Sequence, residues 1–351
     1  SAMTAMNNLL DMTAGSLQRK LRAWGEPDYR ARQIWCAIYQ QQVGSFQAAT
    51  SLPDSLRKRL TVEFSLGNLT PVTDLRSADG RTTKALFRLP DGKKIETVLM
   101  SYRKRRTACI STQAGCALGC QFCATGQMGF ERNLTVGEIV AQALWASRLL
   151  RTEGLTLTNI VLMGMGEPFH NYANSLAALD RLSDAEGMAM GARRITVSTA
   201  GLTPAIQRFA HAGRRERLAV SLHAATDELR SSLTPVNRRY PLAPLLAACR
   251  EYTELTGRRL SFEWALIDGV NDSKEQAQAL CELLAGMLCH VNLIPLNPTA
   301  DYSAAPTSRE SAACFKAQLD AAGIPATVRV RRGLDIRAGC GQLRSQRAKA
   351  Q

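Results

Sequence analysis

Three cysteines within eight residues carry the densest chemistry in the chain, Cys116-x3-Cys120-x2-Cys123. Thiolates are metal ligands, and three in one short loop point to a metal centre. A structural zinc site would need a fourth Cys or His nearby and is usually built from two C-x2-C pairs. Four-cysteine ferredoxin spacing is absent as well. Three ligands suit a [4Fe–4S] cluster with one iron left open to a substrate or cofactor. Phe122, between the last two cysteines, would help shield it. Chance clustering, or zinc with a distant fourth ligand, is the alternative.

The spacing, with an aromatic before the last cysteine, resembles the signature of the radical S-adenosylmethionine (SAM) enzymes. Gly164-Met-Gly-Glu167 follows the apolar stretch 159–163. Its glycines would let backbone approach a ligand closely, and Glu167 could accept from an ammonium group. The third glycine of a dinucleotide fingerprint is missing. By itself the stretch reads as a glycine turn; beside a cluster loop it reads as part of a SAM site.

Taken with further motifs, the sequence resembles the RlmN/Cfr family of radical SAM RNA methyltransferases. It is nearest the branch that methylates adenine C2 in 23S rRNA and tRNA. The resemblance spans Tyr29 to Leu343. It is carried by Gly25-Glu-Pro-Asp-Tyr-Arg30, Ile95-Glu-Thr-Val98, Cys109-Ile-Ser-Thr-Gln-Ala-Gly-Cys116, Met163-Gly-Met-Gly-Glu-Pro168, Ser221-Leu-His223, Asn292-Leu-Ile-Pro-Leu-Asn-Pro298 and Cys340-Gly-Gln-Leu343. Leu334, Arg337, Gly339, Phe169 and His170 depart from its pattern, which bears on RNA contacts and loop dynamics rather than on reaction type.

The resemblance implies a chemistry suited to an unreactive carbon. Adenine C2 is electron-poor and cannot attack a methyl cation equivalent, but a radical can add to it. Two SAM molecules are used per turnover. One methylates Cys340; the other yields a radical that takes hydrogen from that methyl group. The methylene carbon then joins the base as a covalent RNA adduct. Glu96 is the implied proton acceptor, and Cys109 the thiol that attacks the sulfur of Cys340 and leaves a transient disulfide. Gly166, Glu167, Ser198, Ser221, Leu222, His223 and Asn297 are the implied SAM contacts. Taken alone, Glu96 reads as a solvent-facing strand charge, Cys340 as an inert thiol in a Gly-rich loop, and the Ser and His residues as structural hydrogen-bonders. The rivals are C8 methylation, a non-catalytic metal-containing RNA-binding module, and an activase acting on another protein.

These residues need a scaffold that brings them to one edge. From 107 onward, strand-like stretches near 107–112, 159–163, 194–198, 217–222, 260–267, 290–295 and 326–331 alternate with amphipathic helices. Such alternation demands parallel strands with right-handed crossovers, here a partial (β/α)6 barrel of α/β class. Chemistry then gathers where strands end, as Ser111, Glu167, Ser198, Ser221 and Asn297 all do. Thr135 and Glu138 form a capping box before one helix. Residues 1–66 read as a helical RNA-binding accessory unit, or one that only covers the barrel. Residues 67–101 read as a linking hairpin whose arms 82–89 and 94–100 flank Pro90-Asp-Gly92. The radical SAM core spans 102–343, and 344–351 is a basic tail.

Composition agrees. Lys and Arg number 44 against 30 Asp and Glu, a net charge of +14. The excess falls in clusters such as Arg57-Lys-Arg59 and Arg103-Lys-Arg-Arg106, which suits RNA phosphates as well as solubility. A hydrophobic content of 45% excludes disorder as the main state. No membrane span and no apolar leader is seen, so a cytoplasmic protein is expected, with an electron donor such as flavodoxin as partner and a monomeric state. Cys36, Cys249, Cys281, Cys289 and Cys314 read as apolar fillers in helix-like segments.

Overall fold

The computed structural model describes residues 7–344. The basic tail expected over 344–351 therefore lies outside it from 345 on. A short strand β1 (Asn7–Asn8) pairs in parallel with β2 (Phe64–Ser65) and closes the N-terminal unit. Between them run α1 (Ala14–Ala23), α2 (Tyr29–Tyr39) and α3 (Asp54–Glu63). Leu17, Leu21, Ile34, Ile38, Leu56 and Leu60 recur at helical spacing and are buried together.

A meander of β3 (Thr70–Arg76), β4 (Thr82–Arg88) and β5 (Lys94–Ser101) follows. Next come β6 (Arg106–Cys109), β7 (Gln113–Gly115), α4 (Ala124–Met128), β8 (Phe130–Asn133) and α5 (Val136–Thr152). Then β9 (Asn159–Leu162), α6 (Tyr172–Ser183), β10 (Ile195–Thr199), α7 (Thr203–His211) and β11 (Arg217–Ser221) alternate. Two helices, α8 (Asp227–Leu233) and α9 (Leu242–Thr256), lead to β12 (Leu260–Leu266). The chain continues through α10 (Lys274–Leu284), β13 (Cys289–Pro295), α11 (Arg309–Ala321) and β14 (Ala326–Val328).

Among the described residues ten strands form one sheet in the order β14-β13-β12-β11-β10-β9-β6-β5-β4-β3. From β6 to β14 every pair is parallel, and helices cross between them, as a partial barrel requires. The expected hairpin is one strand short. Strand β3 adds to it, and β5 pairs antiparallel with β6, so the meander continues the barrel sheet rather than standing apart. Its stretch was hard to read because β3 is an exposed edge strand with Pro71 at a register shift and no alternation.

The expected capping box is present: Glu138 N donates to Thr135 Oγ1 (3.2 Å) and Thr135 N to Glu138 Oε2 (2.9 Å). The N-terminal unit docks on the outer helices α5 and α6. Trp35 Nε1 donates to Asp184 Oδ2 (2.9 Å), and Arg181 reaches the carbonyls of Leu10 and Met12. Two cysteine fillers differ from expectation. Cys289 opens strand β13, and Cys314 is exposed on α11. Among the described residues no helix is long and apolar enough to cross a membrane.

Candidate active site

The cysteine loop springs from the β7–β8 ribbon. Gly115 there has φ +73°, and a Cβ would meet the carbonyl oxygen of Gly129 at 2.0 Å, so only glycine fits. Cys116 N donates to that same oxygen at 2.9 Å. Cys123 N turns back to Cys120 O (3.1 Å), and α4 begins one residue on. Burial, then the charges of Glu167 and Cys123, pushes the Cys116 thiol up to about 12. Cys120 is driven well above its usual range by burial and by the charges of Cys123 and Cys116. Cys116 and Cys120 therefore sit in a setting that disfavours thiolate until a cation arrives, as a metal cluster would. Among the described residues no three His, Cys, Asp or Glu are gathered as a single metal ion requires. A cubane takes each thiolate on a different iron.

The other candidates converge at the strand ends. After β9, Gly166 has φ +99°, and a Cβ on it would run into Gln113. Glu167 is buried; its oxygens accept from Phe169 N (3.0 Å) and Ala200 N (2.8 Å), and burial lifts it to about 7. Ser198 on β10 and Ser221 closing β11 are half-buried, and Leu222 is buried behind them. His223 is strained at φ +62°. Its Nδ1 accepts from Ala265 N (2.9 Å), and burial holds the ring neutral with a pKa down to about 3. Phe122 meets that ring edge-on at 4.7 Å, which seats the aromatic of the cysteine loop against the strand ends. Asn297 donates Nδ2 to Cys340 O (3.0 Å), while its Oδ1 is buried without a partner. That orphaned acceptor, with the donor set of three thiols, fits a polar cofactor bound beside a cluster.

The residues expected to carry the reaction meet across the meander and the C-terminal segment. Cys109 ends β6, buried; burial and then the charge of Cys340 push its thiol up to about 12. Cys340 is exposed, and desolvation by neighbouring protein, then the charges of Glu263 and Cys123, push its thiol up to about 12. Its segment is pinned on both sides. Gly341 O accepts from Ala124 N (2.8 Å), Gln342 Nε2 reaches Pro298 O (2.8 Å), and Thr125 Oγ1 donates to Leu343 O (2.6 Å). Arg344 N then donates to Glu96 Oε2 at 2.9 Å.

Glu96 is buried rather than solvent-facing, because β4 and the C-terminal segment cover it. Lys84 Nζ lies 3.0 Å from its Oε1. Burial raises the carboxyl, and the Lys84 charge opposes that. Ser111 Oγ donates to Glu96 O (2.6 Å) and accepts from Met165 N (2.8 Å), so one hydroxyl joins the glutamate strand to the glycine turn. Buried Gln142 fixes Ser111 in turn: Ser111 N donates to Gln142 Oε1 (2.8 Å), and Gln142 Nε2 donates to Ser111 O (2.9 Å).

Lys84, Gln142 and Arg230 were missed from sequence. Lys84 left a trace: the turn Pro90-Asp-Gly92 sets Leu86 opposite Glu96, which makes Lys84 a diagonal neighbour on the same face. The other two are lone polar residues in helices and give no such signal.

Residues 110–281 match the radical SAM superfamily model, and residues 7–66 the ribosomal RNA large subunit methyltransferase N-terminal domain. The chain is 51% identical over 338 residues to dual-specificity RNA methyltransferase RlmN 1 of Myxococcus xanthus, covering 96% of this chain and 94% of that protein. It is 49% identical to a probable dual-specificity RNA methyltransferase RlmN of Chloroflexus aurantiacus, over 95% of this chain and 92% of that one. A crystal structure of a radical SAM methyltransferase from Sphaerobacter thermophilus superposes with a TM-score of 0.95 at 55% identity, covering 97% of this chain and 100% of that one.

Proposed function

Since the chain belongs to the RlmN family of radical SAM RNA methyltransferases, we propose that it methylates C2 of an adenine in 23S rRNA and of the adenine next to the anticodon in tRNA. An iron–sulfur cluster and SAM are the family's cofactors; the proposed form is a [4Fe–4S] cluster on Cys116, Cys120 and Cys123. When bound, the cluster and SAM supply an electron, a methyl group and a radical able to take a hydrogen atom from an S-methyl group. Gly166, Glu167, Ser198, Ser221, Leu222, His223 and Asn297 hold SAM in this reading.

One observation carries the assignment of roles. The charge of Cys340 acts on Cys109 at the end of β6, and the backbone N–H of Arg344, four residues after Cys340, donates to Glu96. Cys340 carries the methyl group and, through its methylene carbon, bonds to C2. Glu96 accepts the C2 proton, and the one electron left on the base would return to the cluster when it is bound. The Cys109 sulfur then attacks the Cys340 sulfur; the S–S bond forms, the S–CH2 bond breaks, and the proton that Cys109 gives up is matched by the one the carbon takes up to become the methyl of the product. Cys109 is buried and raised, so it stays a thiol until needed, which limits premature reaction with SAM.

The N-terminal unit of residues 1–66 and the 103–106 run track RNA phosphates while the base leaves its stack. The meander 67–101 positions Glu96, and 102–343 is the radical SAM core. The enzyme works as a cytoplasmic monomer with a one-electron donor such as flavodoxin. Mass spectrometry of nucleosides from RNA treated with the reduced, cluster-loaded protein tests the reading. 2-Methyladenosine is expected; exclusive 8-methyladenosine would overturn the position, and no methylated adenosine the reaction.

A further inference from the structure

Arg230 is fully buried on α8. All of its donors are engaged, and every acceptor is a neutral oxygen. Nε donates to Leu222 O (3.1 Å), Nη1 to Asn237 Oδ1 (2.7 Å) and Tyr240 O (3.4 Å), and Nη2 to Ala200 O (2.6 Å) and Ser221 O (3.2 Å). Among the described residues no carboxylate forms an ion pair with it. Neutral dipoles thus take up all five N–H groups, and the carboxylate whose charge reaches Arg230, Asp227, is held off by Asn237, whose Nδ2 donates to Asp227 Oδ1 (2.9 Å). A buried ion normally has a counter-charge, since desolvation without one is costly.

The surroundings show where that counter-charge belongs. Helix α8 ends against the cysteine loop, for Gln121 N donates to Leu233 O at 3.0 Å. Of the three carbonyls held by Nε and Nη2, that of Ala200 follows β10, that of Ser221 closes β11 and that of Leu222 follows it, next to His223. Gly201 is packed against the guanidinium, where a Cβ would lie 3.0 Å from Nη2. Burial pulls Arg230 down to about 10, and the charge of Cys120 opposes this first. It is a cation at neutral pH, on the helix whose last turn meets the cysteine loop.

We propose that Arg230 is the built-in counter-charge of the iron–sulfur cluster, a positioning residue that favours the reduced cluster. This rests on the reading that Cys116, Cys120 and Cys123 hold it. Reduction takes one electron from a one-electron donor protein, which is oxidised, and adds one negative charge to the cluster. With a fixed cation alongside, no proton has to follow. The same guanidinium ties the loops after β10 and β11 to the helix that abuts the cluster loop. Charge balance and cofactor placement are therefore set by one side chain.

The test is an anaerobic redox titration of the loaded protein, followed by the electron paramagnetic resonance of the reduced cluster, for the parent, Arg230→Met and Arg230→Lys. Removing the charge should lower the ratio of reduced to oxidised cluster at fixed potential about tenfold, a 59 mV shift for one electron. Arg230→Lys keeps the charge and should stay within threefold of the parent. A parent-like midpoint in Arg230→Met would overturn the proposal. So would a tenfold shift in Arg230→Lys, and so would failure of both variants to fold and load, which would make Arg230 a folding element. A midpoint that is unchanged while SAM binding weakens tenfold would overturn it too, in favour of the SAM carboxylate as counter-charge. Absence of a reducible cluster in the parent would instead sink the reading beneath it.

Discussion

Asn297 donates its side-chain N–H to the carbonyl oxygen of Cys340 at 3.0 Å. One amide therefore ties the turn after β13 to the segment carrying the reactive thiol. Its Oδ1 is buried and has no partner among the described residues. An unmet buried acceptor costs about 1–3 kcal/mol, which the arrival of a donor recovers. The ammonium or ribose hydroxyls of SAM are such donors. In the proposed reading, cofactor arrival and placement of Cys340 pass through the same side chain.

Asn297→Ala should weaken SAM binding about tenfold, the size of one lost hydrogen bond in a buried site. Asn297→Asp keeps the accepting oxygen but turns a carboxylate toward the Cys340 carbonyl. It should bind SAM nearly normally and yet carry little methyl on Cys340. Isothermal titration with SAM and intact-protein mass read the two effects separately. Parent-like SAM affinity in Asn297→Ala would show that the orphan oxygen does not serve SAM.

Exchange of partners between Cys109 and Cys340 predicts opposite defects. Cys109→Ala should accumulate RNA covalently bound to protein, because nothing attacks the Cys340 sulfur. Cys340→Ala should form no adduct. Denaturing gels of labelled RNA distinguish them. Normal turnover by Cys109→Ala would remove the resolving role.

Glu167 makes a prediction about pH. Burial raises its carboxyl from 4.5 to about 7. Its contribution to stability is then complete below about 4.5 and is lost as pH rises through about 7. The shift corresponds to about 3 kcal/mol. In the cluster-free protein, the urea midpoint should fall across that window by more in the parent than in Glu167→Gln, whose side chain does not titrate. Equal slopes in the two proteins would mean that Glu167 is not buried as described.

How much of this was legible beforehand depends on whether a feature is local. The cysteine trio, the capping box and the strand ends are short-range patterns, and each appears where its spacing puts it. Strand β3 escaped notice because edge strands need no apolar alternation. Burial of Glu96 was hidden because alternation along 94–100 reports only one covered face, whereas the C-terminal segment, more than two hundred residues on, covers the other. Arg230 gave no signal at all. What makes a lone arginine consequential is the set of carbonyls that folding brings around it.

The Lys84–Glu96 pair offers the most direct test of the carboxylate. Both side chains are buried, and Nζ lies 3.0 Å from Oε1. Lys84 Nζ also donates to Arg337 O at 3.2 Å, so it touches the carrier segment as well. Lys84→Met leaves a buried carboxylate without its partner. Breaking such a pair costs about 3–5 kcal/mol, while replacing both members by neutral groups is often tolerated. Urea unfolding should therefore show a large loss for Lys84→Met and a partial recovery when Glu96→Gln is added. The carboxyl itself, already raised by burial and then lacking the lysine that opposes this, should ionise only at higher pH. A base must be deprotonated to act, so the rising limb of methyl transfer in Lys84→Met should move to higher pH. An unmoved limb, in a variant shown to be folded and loaded, would deny Glu96 the proton-accepting role.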